Sequence, residues 1–170
     1  MLKQEIVDKI TAQINYELYS AYFYLDISNY YADNNLDGFA NWFRIQTQEE
    51  RDHAMLFMTY LLNNGAKVKL SDIKAPDITY TDFRHPTVLA LEHEVTVTER
   101  IHDIYGTAYE LKDFRTMQFL DWFVKEQNEE EKNTEDIIKK YDLFGNDPKS
   151  LYLLDSELAS RVYAAPSLVL

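Results

Sequence analysis

Glu17, Glu50, His53, Glu94 and Glu130 have the residue types and spacing of a metal centre. Glu50 and His53 are three residues apart, which on a helix puts a carboxylate and an imidazole on one face, within reach of one ion. Gln127 stands three residues before Glu130, where a two-metal helical bundle would place a second Glu-x-x-His pair. Carboxylate with imidazole suits iron or manganese better than copper. The chain has no cysteine, so thiolate zinc sites, iron–sulfur clusters held by thiolates and disulfides are excluded. Ligands of this kind need a scaffold that brings carboxylates from several elements to one level.

The apolar pattern describes such a scaffold. Apolar residues recur at helical spacing through Ile6, Ile10, Ile14, Ala21, Tyr24 and Leu25, then again through Phe39, Trp42, Phe43, Ala54, Phe57 and Leu61. Asp33-Asn34-Asn35 breaks the first run and Asn63-Asn64-Gly65 ends the second. A third run opens at His85-Pro86 and carries Val88, Leu91, Val95, Ile101, Tyr105 and Ala108; a fourth carries Phe119, Leu120, Phe123, Ile137, Ile138 and Tyr141 to Gly145. Asp147-Pro148 caps a short fifth. The expected fold is all-α, a single domain over residues 1–170 with helices at 3–32, 37–64, 86–112, 114–144 and 148–160. Residues 66–84 have no sustained period. A connection of about 20 residues can span the roughly 40 Å length of a bundle, which makes the third helix parallel to the second.

Each long helix interrupts its own apolar seam with polar residues. The seams read Ile14, Glu17, Ala21; Phe43, Gln46, Glu50, His53, Phe57; Leu91, Glu94, Thr98, Ile101; and Phe123, Gln127, Glu130, Thr134. Glu17 lies about 15 residues before the first turn and Glu50 about 14 after it, so their heights differ by roughly 1.5 Å. Glu94 and the Gln127/Glu130 pair flank the turn near Asp113 at similar distances. Four carboxylates at one buried level require protons or metal, because each uncompensated charge costs several kcal/mol. Their four negative charges balance two divalent ions, and oxidation to trivalent ions calls for hydroxide or oxide to cancel the excess.

Composition limits the partners. The 170 residues include 29 acidic and 17 basic side chains, a formal charge of -12, which repels nucleic acid and anionic membranes and attracts cations. The opening MLKQEIVDKI is charged where a secretory signal needs an apolar run, and no stretch has the apolar length of a spanning helix. A cytoplasmic protein without a membrane or nucleic-acid partner is expected.

At Glu17, the Glu49-Glu50-x-x-His53 segment, Glu94 and the Glu126-Gln127-x-Glu129-Glu130 segment, the chain resembles bacterial non-haem ferritins along its whole length. The resemblance implies a homo-oligomeric cage of 24 subunits that oxidises iron(II) with dioxygen or hydrogen peroxide and stores iron(III) as a hydrated oxide. It implies a first iron position at Glu17, Glu50 and His53, with Glu50 bridging to a second at Glu94 and Glu130, and Gln127 beside the second. Glu49, Glu126, Glu129 and Glu130 match a third iron position towards the cavity, and Tyr24 a tyrosine next to the centre. Haem is not expected, since Asp52 stands where haem-binding relatives have methionine and Glu130 where they have histidine; Met55 and Met58 read as packing residues. His85, His93 and His102 read as surface or cap residues. Three other readings remain open: a rubrerythrin-type di-iron peroxidase or oxygenase, a twelve-subunit DNA-protecting relative, and a metal-free bundle.

Overall fold

The apolar runs become buried stripes on five helices in the structure, a computed structural model that describes residues 2–170. Helix α1 spans Gln4–Asp33, α2 Asp37–Asn63, α3 His85–Glu110, α4 Phe114–Phe144 and α5 Pro148–Leu158. Among the described residues there is no strand, and no helix is long and apolar enough to cross a membrane.

Each of the first three helices stops in the same way. Asn35, Gly65 and Lys112 take positive φ of 57°, 73° and 54°. The next residue then returns its N–H to the last turn: Leu36 to Tyr31 O at 3.0 Å, Ala66 to Leu61 O at 3.0 Å and Asp113 to Ala108 O at 2.8 Å. This closure satisfies carbonyls that would otherwise be orphaned at the helix end. Helices α4 and α5 start from acidic caps, Asp113 accepting from Thr116 N and Asp147 from Ser150 N.

Cross-helix contacts give the topology. Lys9 pairs with Asp103, Arg100 reaches Ala12 O and Tyr24 reaches Glu94, so α1 and α3 run antiparallel. Gln46 meets Glu130 and Tyr60 meets Thr116, so α2 and α4 do too. The connection from α2 to α3 climbs along α1. Ser71 N donates to Asn15 Oδ1, the Tyr80 hydroxyl to Asp26 Oδ2, and the Tyr31 hydroxyl to Phe83 O. It thereby delivers α3 to the end where α2 began, and α3 runs parallel to α2.

The apolar core is split in two. One half packs Phe23, Ile27, Tyr31, Phe39, Phe43, Tyr141 and Leu154; the other packs Ile10, Ile14, Phe57, Leu61, Ile101, Phe119 and Phe123. Between them lie Glu17, Gln46, Glu50, His53, Glu94, Gln127 and Glu130, all buried. Val95, expected on the core stripe, is exposed; Glu94 and Val97 take the inward positions on either side of it. The seam of α3 therefore follows Ala90, Glu94, Val97 and Ile101.

Helix α5 is fastened at one close approach. Phe39 N donates to Asp155 Oδ1 at 2.9 Å, and a Cβ built on Gly38 would stand 1.7 Å from the Asp155 carbonyl oxygen. The obstacle is backbone and cannot rotate away. Gly38→Ala is expected to cost about 3 kcal/mol, read as a lowered melting temperature with increased amide exchange confined to α5 and the start of α2.

Candidate metal centre

The burial of four carboxylates at one level defines the site. Glu17, Glu50, Glu94 and Glu130 are exposed by 1%, 1%, 0% and 4%. Each comes from a different long helix, so the apolar stripes that drive helix packing also force these side chains together. Their partners are unequal. Glu17 Oε1 accepts from Gln13 Nε2 at 2.8 Å, and Gln13 is itself held by Arg100 Nε at 2.8 Å. Glu130 Oε2 accepts from Gln46 Nε2 at 2.9 Å. Glu94 has both oxygens engaged, Oε1 by the Tyr24 hydroxyl and Oε2 by Gln127 Nε2 at 3.1 Å.

The remaining oxygens have nothing. Glu17 Oε2 and both oxygens of Glu50 are buried without a hydrogen-bond partner, as is Gln46 Oε1. Each such atom costs about 1–3 kcal/mol unless something compensates it, and with the carboxyls ionised all are acceptors. An acceptor-only cavity is what a cation completes. Ligand atoms of Glu17, Glu50 and His53 lie within 4.8 Å of one another, and so do those of His53, Glu126 and Glu130. His53 Nδ1 is 3.7 Å from Glu50 Oε2. Hard oxygen donors with one imidazole fit iron in either oxidation state.

The electrostatics agree with the geometry. Burial first, then Glu94, Glu17 and Glu130 as like charges, hold the Glu50 carboxyl well above its ordinary range. Burial and Glu130 push Glu94 up to about 8, against the hydrogen bonds from Tyr24 and Gln127. Burial raises the Tyr24 phenol well above its ordinary value, with Glu94 and Glu50 adding to the rise, so the phenol keeps its proton and donates a hydrogen bond to Glu94. Strongly shifted groups at one place mark a site built for charge that the protein itself does not supply.

The residues expected from sequence fall into three zones. Glu17, Glu50 and His53 gather as one group. Glu130 joins a second group with His53 and Glu126, while Glu94 falls in neither group and is held instead by Gln127 and Tyr24. Glu49, Glu126 and Glu129 lie on the outer flank: Glu49 and Glu126 are partly buried and Glu129 is exposed. Burial, partly offset by Arg161, raises Glu49 to about 7.

His93 corrects one expectation. It is neither a surface nor a cap residue: its ring is buried, stacked on Tyr16 at 5.1 Å with Nε2 2.7 Å from Ser20 Oγ. Burial and Arg100 lower it to about 4, so it is a neutral packing group behind Tyr24. Its spacing from Ala90 and Val97 carried the signal. Gln13 was also missed, although it stands one helical turn before Glu17 on the same face.

The sequence matches the ferritin-like domain over residues 7–144. It is 33% identical over 160 residues to a probable bacterial non-haem ferritin-like protein of Haemophilus influenzae, covering 94% of this chain and 97% of the other. It is 34% identical over 163 residues to a bacterial non-haem ferritin of Staphylococcus saprophyticus, covering 96% and 98%. Among solved structures, the open-pore ferritin of the archaeon Archaeoglobus fulgidus superimposes with a TM-score of 0.93 at 40% identity, covering 95% of this chain and 98% of that one. Fold, helix-borne carboxylates and sequence therefore point the same way, and the chain belongs to the ferritin family.

Proposed function

We propose that this protein stores iron, oxidising Fe(II) at a two-ion centre inside each subunit and holding Fe(III) as a hydrated oxide within a 24-subunit cage in the cytoplasm. The observation that carries this reading is the set of buried, unpartnered oxygens on Glu17 and Glu50 beside His53. Relatives named bacterial non-haem ferritins over nearly the full chain support it. A metal-free bundle would leave those oxygens uncompensated.

In this reading Glu17, Glu50 and His53 take one Fe(II), and Glu50, with an oxygen to spare, reaches the second, which Glu94 and Glu130 complete. Gln127 orients Glu94. One electron leaves each ion for dioxygen or hydrogen peroxide. Tyr24 keeps Glu94 in place through its hydroxyl and closes the centre on the side of the Phe43 half of the core. Water bound during oxidation loses protons, and the carboxylates Glu49, Glu126 and Glu129 pass the product from the two-ion centre towards the cavity as a third station.

The test is aerobic addition of Fe(II) to wild type and Glu130→Ala, with the native protein sized in parallel. Initial oxidation in Glu130→Ala is expected to fall at least tenfold, in line with the cost of disturbing groups around a metal, and the native protein to elute as a shell of 24 subunits. Undiminished initial oxidation would remove Glu130 from the centre. A dimer by size would instead favour a rubrerythrin-type oxidoreductase.

A further inference from the structure

Beyond α5 the chain folds back over the bundle as a strap, residues 159–170. Asn41 Nδ2 donates to the Arg161 carbonyl at 3.1 Å, the Tyr163 hydroxyl donates to Asp52, and Trp122 Nε1 donates to Ser167 Oγ at 3.0 Å. These anchors lie on α2 and then α4, so the strap crosses the groove between those helices at the level of the polar layer. Arg161 is its innermost charge. Its guanidinium lies 4.3 Å from the Trp42 ring centroid, Nη1 donates to Trp42 O at 3.2 Å, and Nη2 donates to Glu49 Oε2 at 2.7 Å.

Glu49 adjoins Glu50 in the chain, and Glu126 and Glu130 act on it as neighbouring like charges. The Arg161 and Glu49 side chains are only 20% and 18% exposed, so the pair is not a loose surface contact. A guanidinium does not lose its proton at any ordinary pH. The protein has therefore placed its own permanent cation on a carboxylate that faces a cluster of acceptors.

We infer that Arg161 is a built-in competitor for the outer iron position: it holds Glu49 while that position is empty and releases it when Fe(II) arrives, loosening the strap in the same step. This rests on the third station proposed above. An ion there must break a charge-assisted hydrogen bond before it gains Glu49, so it binds more weakly than at the two inner positions. Weak, exchangeable binding is what a transit station needs, since an ion held as tightly as at the inner pair would block the path. Arg161 is thus a positioning residue that sets affinity without touching the reacting atoms.

The experiment is anaerobic titration of the assembled full-length protein with Fe(II), followed by calorimetry, for wild type, Arg161→Gln, Arg161→Lys and Glu49→Gln. The first two ions per subunit serve as the internal reference. The later, weaker ion is expected to bind about tenfold more tightly in Arg161→Gln, the effect of one charged contact of this kind. Arg161→Lys keeps the cation and should stay near wild type, which separates competition from a purely structural tether. Amide exchange of residues 160–168 in wild type should rise on loading with Fe(II). An unchanged later ion in Arg161→Gln, with Glu49→Gln still weakening it, would overturn the competitor role and leave the outer station standing. Isotherms unaffected by Glu49→Gln would remove the station itself. Strap exchange that does not respond to Fe(II) in wild type counts against the release step, even if Arg161→Gln fails to fold.

Discussion

Glu50→Leu is expected to lose rapid iron oxidation by about 100-fold or more and, without metal, to be more stable than wild type. The loss follows from position. Glu50 has both oxygens unpartnered and in the proposed centre is the carboxylate that serves both ions; disturbing groups that merely orient metal ligands already costs about 10- to 100-fold. The gain follows from burial. The side chain is 1% exposed and lies against the like charges of Glu94, Glu17 and Glu130, and no amide, hydroxyl or cationic donor reaches its oxygens. Replacing an unsatisfied buried carboxyl with an apolar group of similar volume relieves about 1–3 kcal/mol. Leucine fills the space, which avoids the cavity penalty an alanine would add. Divalent metal should then reverse the order. At a free concentration a hundredfold above its dissociation constant, a bound ion stabilises wild type by about 2.7 kcal/mol, a term the variant largely forgoes. Thermal midpoints measured anaerobically with and without Fe(II) give both orders. A variant less stable than wild type in both states would mean that Glu50 has a structural partner, and its assignment as an ion ligand would fall.

Much of this site is legible in the sequence because bundle geometry is arithmetic. Helical rise, counted from the turns at Asn34–Asn35 and Lys112–Asp113, places Glu17 level with Glu50 and Glu94 level with Gln127 and Glu130. The structure buries all five. The crossing connection is legible too, since about 20 aperiodic residues need a long path. What escaped depends on contacts that spacing does not encode. Arg161 meets Glu49 across 112 positions, from a strap with no period and therefore no face to read. Arg100 fixes Gln13 across 87 positions, and only packing reveals that this pair orients Glu17. Glu94 shows the subtler limit: its height was readable, but the engagement of both its oxygens by Tyr24 and Gln127 was not. Without metal that carboxylate is part of a hydrogen-bonded wall, and taking an ion requires it to exchange at least one of those donors.

The same wall makes the metal-free protein sensitive to pH in the direction opposite to most carboxylate proteins. Glu94 is raised by burial from 4.5 to about 8, and Glu50 is raised for the same reason. Between those values the folded state binds more protons than the unfolded one, so unfolding releases protons and stability falls as pH rises. The penalty is absent below the unfolded value of 4.5, grows through pH 5 to 7 and is complete above about 8. For Glu94 alone the full difference is on the order of 5 kcal/mol. Glu94→Gln keeps an acceptor for Tyr24 and removes the titration. The wild-type minus variant difference in unfolding free energy should therefore become more negative from pH 5 to pH 8. Subtracting the variant removes background titration shared by both proteins. Saturating Fe(II), kept anaerobic, should abolish the slope in wild type, because a cation stabilises the ionised carboxylates that protons would otherwise neutralise. A difference that stays flat across this range would mean that Glu94 is already ionised and compensated without metal. In that case Glu94 would need no ion to compensate it, and its burial would no longer support the iron reading.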